Sequence, residues 1–377
     1  MSEKVLITGG AGFIGSYLAD EYLKEGYSVR VLDNLTPQVH GKLFESKTPP
    51  AYLNKDVEFI FGDIQDREVV KSALQGVDIL SHHAAAVGVG QSMHDIEYYT
   101  RVNTYGASVI LDIIANEKTS VKKMLVASSM SIYGEGAYLK TSNNTLVYPN
   151  MRDAKQLKSR SWELVDSDGE SLVPTATKET KPLAPPNIYA INKRDHEEMF
   201  LTIGRAYEIP TVAFRYFNVF GSRQSLSNPY TGVMAIFCSR ILNGNHPIIF
   251  EDGKQMRDFV KVEDIAQANI LATKSTSVDY DVFNIGSGKA ITILDLTKII
   301  ANAMGVEFNP DILGKYRVGD IRHCFSDISK ATDKLGYKPA FDVTSGIAEV
   351  IDWVGRQVAD DSFDNMKSGL EKLGLVR

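Results

Sequence analysis

Thr8-Gly9-Gly10-Ala11-Gly12-Phe13-Ile14-Gly15-Ser16 follows a short β-branched run, Val5 to Thr8, and leads into an amphipathic stretch that reaches Glu25. Strand, glycine-spaced turn and helix in that order read as the first βα unit of a doubly wound sheet. Glycines at 9, 12 and 15 let the backbone approach a pyrophosphate, whose charge suits the positive N-terminus of the helix that follows. The next apolar run, Ser28 to Leu32, is followed by Asp33, eighteen residues past Gly15. A carboxylate at that place hydrogen-bonds the adenosine ribose diol and repels a 2′-phosphate, so the loop predicts NAD rather than NADP.

Outward from this loop, β-branched runs alternate with helical stretches: Val57 to Phe61, Asp78 to His82, Lys123 to Ala127 and Thr211 to Phe214 read as further strands. That alternation predicts an α/β fold with a parallel sheet, and the unbroken apolar run Met124-Leu125-Val126-Ala127 suits a strand covered on both faces. Shorter apolar runs occur at Ile248 to Phe250 and Val282 to Ile285, and from about Thr292 helical patterns dominate, suggesting a smaller second unit. The 377 residues allow roughly two domains. With 41 Lys and Arg against 47 Asp and Glu, net charge −6, neither sign forms a block, which argues against nucleic-acid or membrane-surface partners. Two cysteines, Cys238 and Cys324, lie far apart, so neither a disulfide framework nor a cysteine metal site is read, and a reducing cytoplasm suits them. The absence of a long apolar run and of a leader-like start points the same way: a soluble intracellular protein.

Other residues cluster at predicted strand ends, where open α/β sheets bind ligands. Asp63, beside Ile64, is placed to accept from an adenine amino group, or is a solvated strand-end acid. Ala84-Ala85-Ala86 followed by Val87 either lies flat against a dinucleotide or packs a helix. His82 and His83 read as packed or hydrogen-bonded rather than metal-ligating, and no metal is assigned. Tyr189-Ala190-Ile191-Asn192-Lys193 sets a phenol and an ammonium one helical turn apart, where the lysine favours the phenolate and makes Tyr189 a base. Ser128-Ser129-Met130-Ser131-Ile132-Tyr133-Gly134 ends a strand and offers a hydroxyl to a reacting oxygen.

These segments, with Arg215-Tyr216-Phe217-Asn218-Val219-Phe220-Gly221, Asp258-Phe259-Val260, Asn284-Ile285-Gly286-Ser287-Gly288 and Gly319-Asp320-Ile321-Arg322-His323, resemble the extended short-chain dehydrogenase/reductases, in particular the nucleotide-sugar epimerases and dehydratases. The resemblance spans nearly the whole chain. It implies an NAD-binding Rossmann domain over 1–218 and 258–286, carrying an insertion at about 137–186, and a nucleotide-sugar-binding domain over 219–257 and 287–377. It implies a held NAD contacted by Gly9, Gly12, Phe13, Ile14, Gly15, Asp33, Asn34, Asp63, Ile64, Ala84, Ala85, Ala86, Asn103, Ser128 and Tyr216. Tyr189 is the implied base, Lys193 sits on the nicotinamide ribose, and Ser129 assists. A nucleotide-diphosphate sugar would meet Val87, Ser129, Ser131, Tyr189, Asn218, Arg257, Arg317 and Asp320. A homodimer through a four-helix bundle, built from the helix after Asp95 and the one near Tyr189, is also implied.

Family dehydratases carry Asp-Glu where this chain has Met130-Ser131, and family uronate decarboxylases carry Glu at the place of Ser131. Methionine cannot shuttle a proton. The resemblance therefore favours redox-neutral 4-epimerisation, with transient oxidation at sugar C4, and implies likeness to the rhamnose-type and UDP-sugar 4-epimerases. Dehydratase, decarboxylase or net dehydrogenase chemistry remains the alternative, as does a dinucleotide-binding protein without catalysis. Galactose-type epimerases carry Lys where Val87 stands. They also have a much shorter interval than the 56 residues between Tyr133 and Tyr189. That interval, Ala137 to Pro186, lacks periodicity and reads as a surface excursion or a lid, with Trp162 either a surface-packing residue or an anchor over the sugar.

Overall fold

Seven apolar runs become the central strands of a computed structural model that describes residues 2–230, 232–357, 359 and 361–377. They are β1 (Lys4–Thr8), β2 (Ser28–Asp33), β3 (Glu58–Phe61), β4 (Ile79–His82), β5 (Lys123–Ser129), β6 (Thr211–Tyr216) and β7 (Asp281–Ile285). All pair in parallel, in the order β7-β6-β5-β4-β1-β2-β3. Strand order reverses between β1 and β4, whose carboxyl ends, Thr8 and His82, are register partners. That reversal opens a crevice in which an α/β sheet takes its ligand.

Both sheet faces are covered, which is why the strands show little polar alternation. Val5, Ile7, Val212 and Phe214 face one layer with α1 (Phe13–Lys24) and the later helix Val262–Lys274. Leu6, Leu80 and Ala213 face the other with α2 (Gly106–Asn116) and α3 (Ile188–Ala206), which contributes Phe200 and Leu201. A second apolar core gathers Phe220, Phe237, Phe259, Ile300, Ile347 and Val354 around short strands at Asn218–Phe220, Met256–Lys261 and Ala290–Thr292. The expected strand at Ile248 to Phe250 is Ile248–Ile249, paired in parallel with Asp311–Ile312.

The aperiodic stretch 137–186 is ordered. Leu146–Val147, Ala137–Lys140 and Leu172–Thr175 form a three-stranded antiparallel sheet over a small core of Tyr138, Leu164 and Leu172. Strands of two to four residues are too short to print a period. Charge docks this insertion to the second core: the buried Arg152 reaches both carboxylate oxygens of the buried Glu251 at 2.9 Å, and the exposed Glu163 pairs with the buried Arg322 and His323. Among the described residues no helix is long and apolar enough to cross a membrane.

Candidate active site

The crevice at the strand reversal is a cleft of about 460 Å³. Its floor is the glycine loop. Gly9 takes φ +69°, and a Cβ there would stand 2.8 Å from the Ala84 backbone. A Cβ on Gly15 would meet the Gly9 carbonyl at 2.3 Å, so the loop and the first turn of α1 can close together only because both positions lack a side chain. Gly12 caps α1 without any side-chain acceptor, leaving the first-turn amides facing the cleft.

Asp33 ends β2 and accepts from the amides of Leu35 (2.8 Å) and Ala11 (3.0 Å), tying the glycine loop to the second strand. Burial pushes its carboxyl upward, against the opposing pull of His40 and of those amides. Asn34, next to Asp33, donates to Asp63 at 2.9 Å and so links the ends of β2 and β3. At the other end of the cleft Ser131 donates to Ser129 Oγ at 2.9 Å, and Ser129 favours the phenolate of the partly buried Tyr189. Burial nevertheless dominates and pushes that phenol up to about 12. The expected lowering by Lys193 is therefore not what sets its acidity here. Lys193 itself, donating to the Ala127 carbonyl at 2.8 Å, is pushed down to about 7 by burial.

Gly9, Gly12, Phe13, Ile14, Gly15, Asp33, Asn34, Asp63, Ile64, Ala84, Ala85, Ala86, Ser128, Tyr189, Lys193 and Tyr216 all line this one cleft, with Val87, Ser129, Ser131 and Asn218. Four expected residues do not. Asn103 is fully buried behind the wall, where its side chain exchanges two hydrogen bonds with the Ala86 backbone, at 2.7 and 3.1 Å, and so braces the alanine loop. The Arg257 guanidinium is drawn to the carbonyls of Met256, Arg322 and Ile321, at 2.7 to 2.9 Å, and is 3.5 Å from Asp320. Arg317 pairs with Asp320 at 2.7 Å, and both border a small neighbouring cavity that shares Val89 with the cleft. Trp162 and the rest of the insertion contribute nothing to the lining among the described residues. The insertion reaches the cleft indirectly, through Met151 and Leu183 packed behind Met130 and Phe217.

Sequence reasoning missed His40, Gln38, Tyr99, Gln224, Asn228 and Tyr230 in the wall. They sit on short or irregular segments without a period, and only position in space marks them, as with His40 beside Asp33 and Tyr99 beside Tyr189.

The lining fits a dinucleotide. The glycine cradle would be filled by any Cβ, the α1 amides lack side-chain acceptors, and the hydroxyl of Ser128, 2 % exposed at the inner wall, has no partner. A profile of the NAD dependent epimerase/dehydratase family matches residues 5–286. The chain belongs to that family. Among relatives, a dTDP-L-rhamnose 4-epimerase of Burkholderia thailandensis is 34% identical over 94% of this epimerase/dehydratase-family chain and 96% of its own length. The solved UDP-N-acetylglucosamine 4-epimerase of Methanobrevibacter ruminantium shares 31% identity and superposes with a TM-score of 0.75, over 95% of this chain and 100% of that one. The UDP-glucose 4-epimerase of Thermus thermophilus, solved in complex with NAD, shares 28% identity with a TM-score of 0.73, over 94% and 100%.

Proposed function

We propose that this family member is an NAD-dependent nucleotide-sugar 4-epimerase. One observation carries the choice among the family's reactions: the only carboxylates among the described residues lining the cleft are Asp33 and Asp63, both at the adenosine end. Around Tyr189 stand Ser129, Met130 and Ser131, and none can serve as the additional acid that elimination of water requires. NAD, when bound, supplies reversible hydride transfer at sugar C4. The chain supplies the rest. Tyr189 takes the proton of the 4-hydroxyl and gives it back to the same oxygen once the 4-keto sugar has turned to present its other face, Ser129 holds that oxygen, and Lys193 orients the ribose.

The adenosine half is assigned to Asp33 and Asp63, and the diphosphate to the α1 N-terminus. For the substrate, Val87, Ser131 and Asn218 line the sugar end. Val89 lies between this end and Arg317 and Asp320, which this reading keeps for the nucleotide half. Arg257 would have to exchange a carbonyl for a phosphate oxygen to take part. A homodimer belongs to this reading. The groove between α2 and α3 is lined by Tyr105, Val109, Ala115, Met199, Ile203 and Tyr207, with Tyr105 and Tyr207 exposed, the kind of face a second copy covers in a four-helix bundle.

The test is proton NMR of purified protein, with no cofactor added, incubated with UDP-, dTDP- and GDP-linked hexoses, uronates and 6-deoxyhexoses. One sugar converting to its C4 epimer supports the proposal. A substrate that is oxidised, dehydrated or decarboxylated instead overturns it.

A further inference from the structure

The face of α3 that carries Lys193 also carries His196, three residues on, and the reaction proposed above does not use it. His196 is fully buried, and its Nδ1 lies 3.5 Å from Lys193 Nζ, at the outer limit of a hydrogen bond. Lys193 spends a second N–H on the Ala127 carbonyl at 2.8 Å and turns its remaining side to the cleft. Among the described residues no carboxylate pairs with Lys193, whose acidity is set by burial. The ionisable groups gathered around it are all without negative charge at neutral pH: Tyr189 and His196 on α3, His82 and His83 at the end of β4, and Tyr216 of β6 stacked on His83. His82 is itself held by Thr8 Oγ1 at 2.8 Å, with its ring 5.0 Å from that of His196.

Burial and the neighbouring ammonium hold His196 well below its ordinary range. It is therefore a neutral imidazole, and only an unprotonated Nδ1 can face an ammonium. The proton of the neutral ring then lies on Nε2, which is buried and has no hydrogen-bond partner among the described residues. A neutral acceptor orients an ammonium without pinning it as a carboxylate would, so its third N–H stays free.

Resting on the reading that Lys193 serves the cofactor ribose, we propose that His196 is a positioning residue. Its neutral Nδ1 and the Ala127 carbonyl fix the Lys193 ammonium so that its one remaining N–H points into the cleft.

Two variants separate this from simple packing. His196→Leu keeps an apolar volume and removes the acceptor, whereas His196→Asn puts a carbonyl Oδ1 at the δ position that Nδ1 occupies. The Lys193 titration is followed by NMR of protein carrying 13Cε-lysine, with the resonance assigned by its loss in Lys193→Met. Losing an acceptor destabilises the charged form, so the Leu variant should titrate about one pH unit lower, a tenfold change in the protonation constant, and the Asn variant should return towards wild type. With substrate, kcat should fall in the Leu variant and recover in the Asn variant, with KM little changed. An unchanged Lys193 titration in the Leu variant, or an Asn variant that behaves like Leu, overturns the proposal. Should the Leu variant fail to fold, the 15N chemical shifts of His196 in the wild-type protein decide: a proton on Nδ1 refutes it. The titration needs no substrate, so it stands or falls independently of whether the chain proves to be an epimerase.

Discussion

Gly15→Ala tests the cofactor loop at its tightest point. The new Cβ would stand 2.3 Å from the Gly9 carbonyl oxygen and 2.5 Å from the Gly10 Cα. Both neighbours are backbone and cannot rotate away, so the first turn of α1 must retreat by about 1 Å, a displacement that costs on the order of 100-fold when it falls on groups that must meet a ligand. Each charge-assisted hydrogen bond between a first-turn amide and a phosphate contributes about 1.5–3 kcal/mol, so losing one weakens NAD binding by roughly 10- to 150-fold. The assay is fluorescence titration of cofactor-stripped protein with NAD. Gly26→Ala is the control: Gly26 sits at φ +86° with nothing within 4 Å of a Cβ, so the change costs about 1–2 kcal/mol of stability through backbone strain and leaves NAD affinity alone. Wild-type affinity in Gly15→Ala, or an equal loss in Gly26→Ala, would refute the reasoning.

Tyr189→Phe should lower kcat by about 100- to 10,000-fold while NAD stays bound, checked by single-turnover epimerisation and by the cofactor released on denaturation. Asp33 should make the wild-type protein prefer NAD over NADP by at least about tenfold, and Asp33→Asn should narrow that preference in a paired titration. Arg152→Ala leaves the buried Glu135 without its cation and Glu251 with Arg322 alone, and should destabilise the protein by about 3 kcal/mol in urea unfolding. The Glu163 carboxyl is held down to about 2, chiefly by its hydrogen bond to His323 and then by Arg322. A depressed carboxyl contributes stability above its ordinary range and loses it as pH falls to its folded value. The advantage of wild type over Glu163→Gln should therefore be constant at neutral pH and shrink from about pH 4.5 to about pH 2.

What was legible in the sequence was local or periodic. The glycine loop and Asp33 lie within 25 residues of each other and are joined by hydrogen bonds the chain makes at short range, such as Asp33 to Ala11. Tyr189 and Lys193 share a helix face by spacing alone. The central strands announced themselves because burial on both faces leaves them almost wholly apolar. The residues that went astray depend on which of several partners wins in three dimensions. Asn103 carries the donor and acceptor a dinucleotide site uses, yet both go to the Ala86 backbone. Arg257 has a fork suited to phosphates, yet three carbonyls converge on it from its own strand and from Ile321 and Arg322.

The insertion makes the same point with charge. In the sequence this segment reads only as a surface excursion or a lid, because the partners of its charges are remote: Arg152 meets Glu251, 99 residues away, and Glu163 meets Arg322, 159 away. Once those contacts form, Arg152 is 1 % exposed and the excursion is docked rather than free. It adds no side chain to the cleft, so it does not act as a lid by contact. Met151, its near neighbour in sequence, instead packs with Leu183 behind Met130 and Phe217, the apolar wall of the sugar end. A buried ion pair is a poor source of net stability, because desolvation offsets most of its attraction. It is specific in geometry, however, and loosening it would let the backing of that wall shift while the glycine loop, the two adenosine acids and the Tyr189–Lys193 pair stay in place. The insertion is thus coupled to the shape of the sugar pocket and uncoupled from the hydride chemistry, so disturbing Arg152 should alter which sugar is accepted before it alters whether NAD is held.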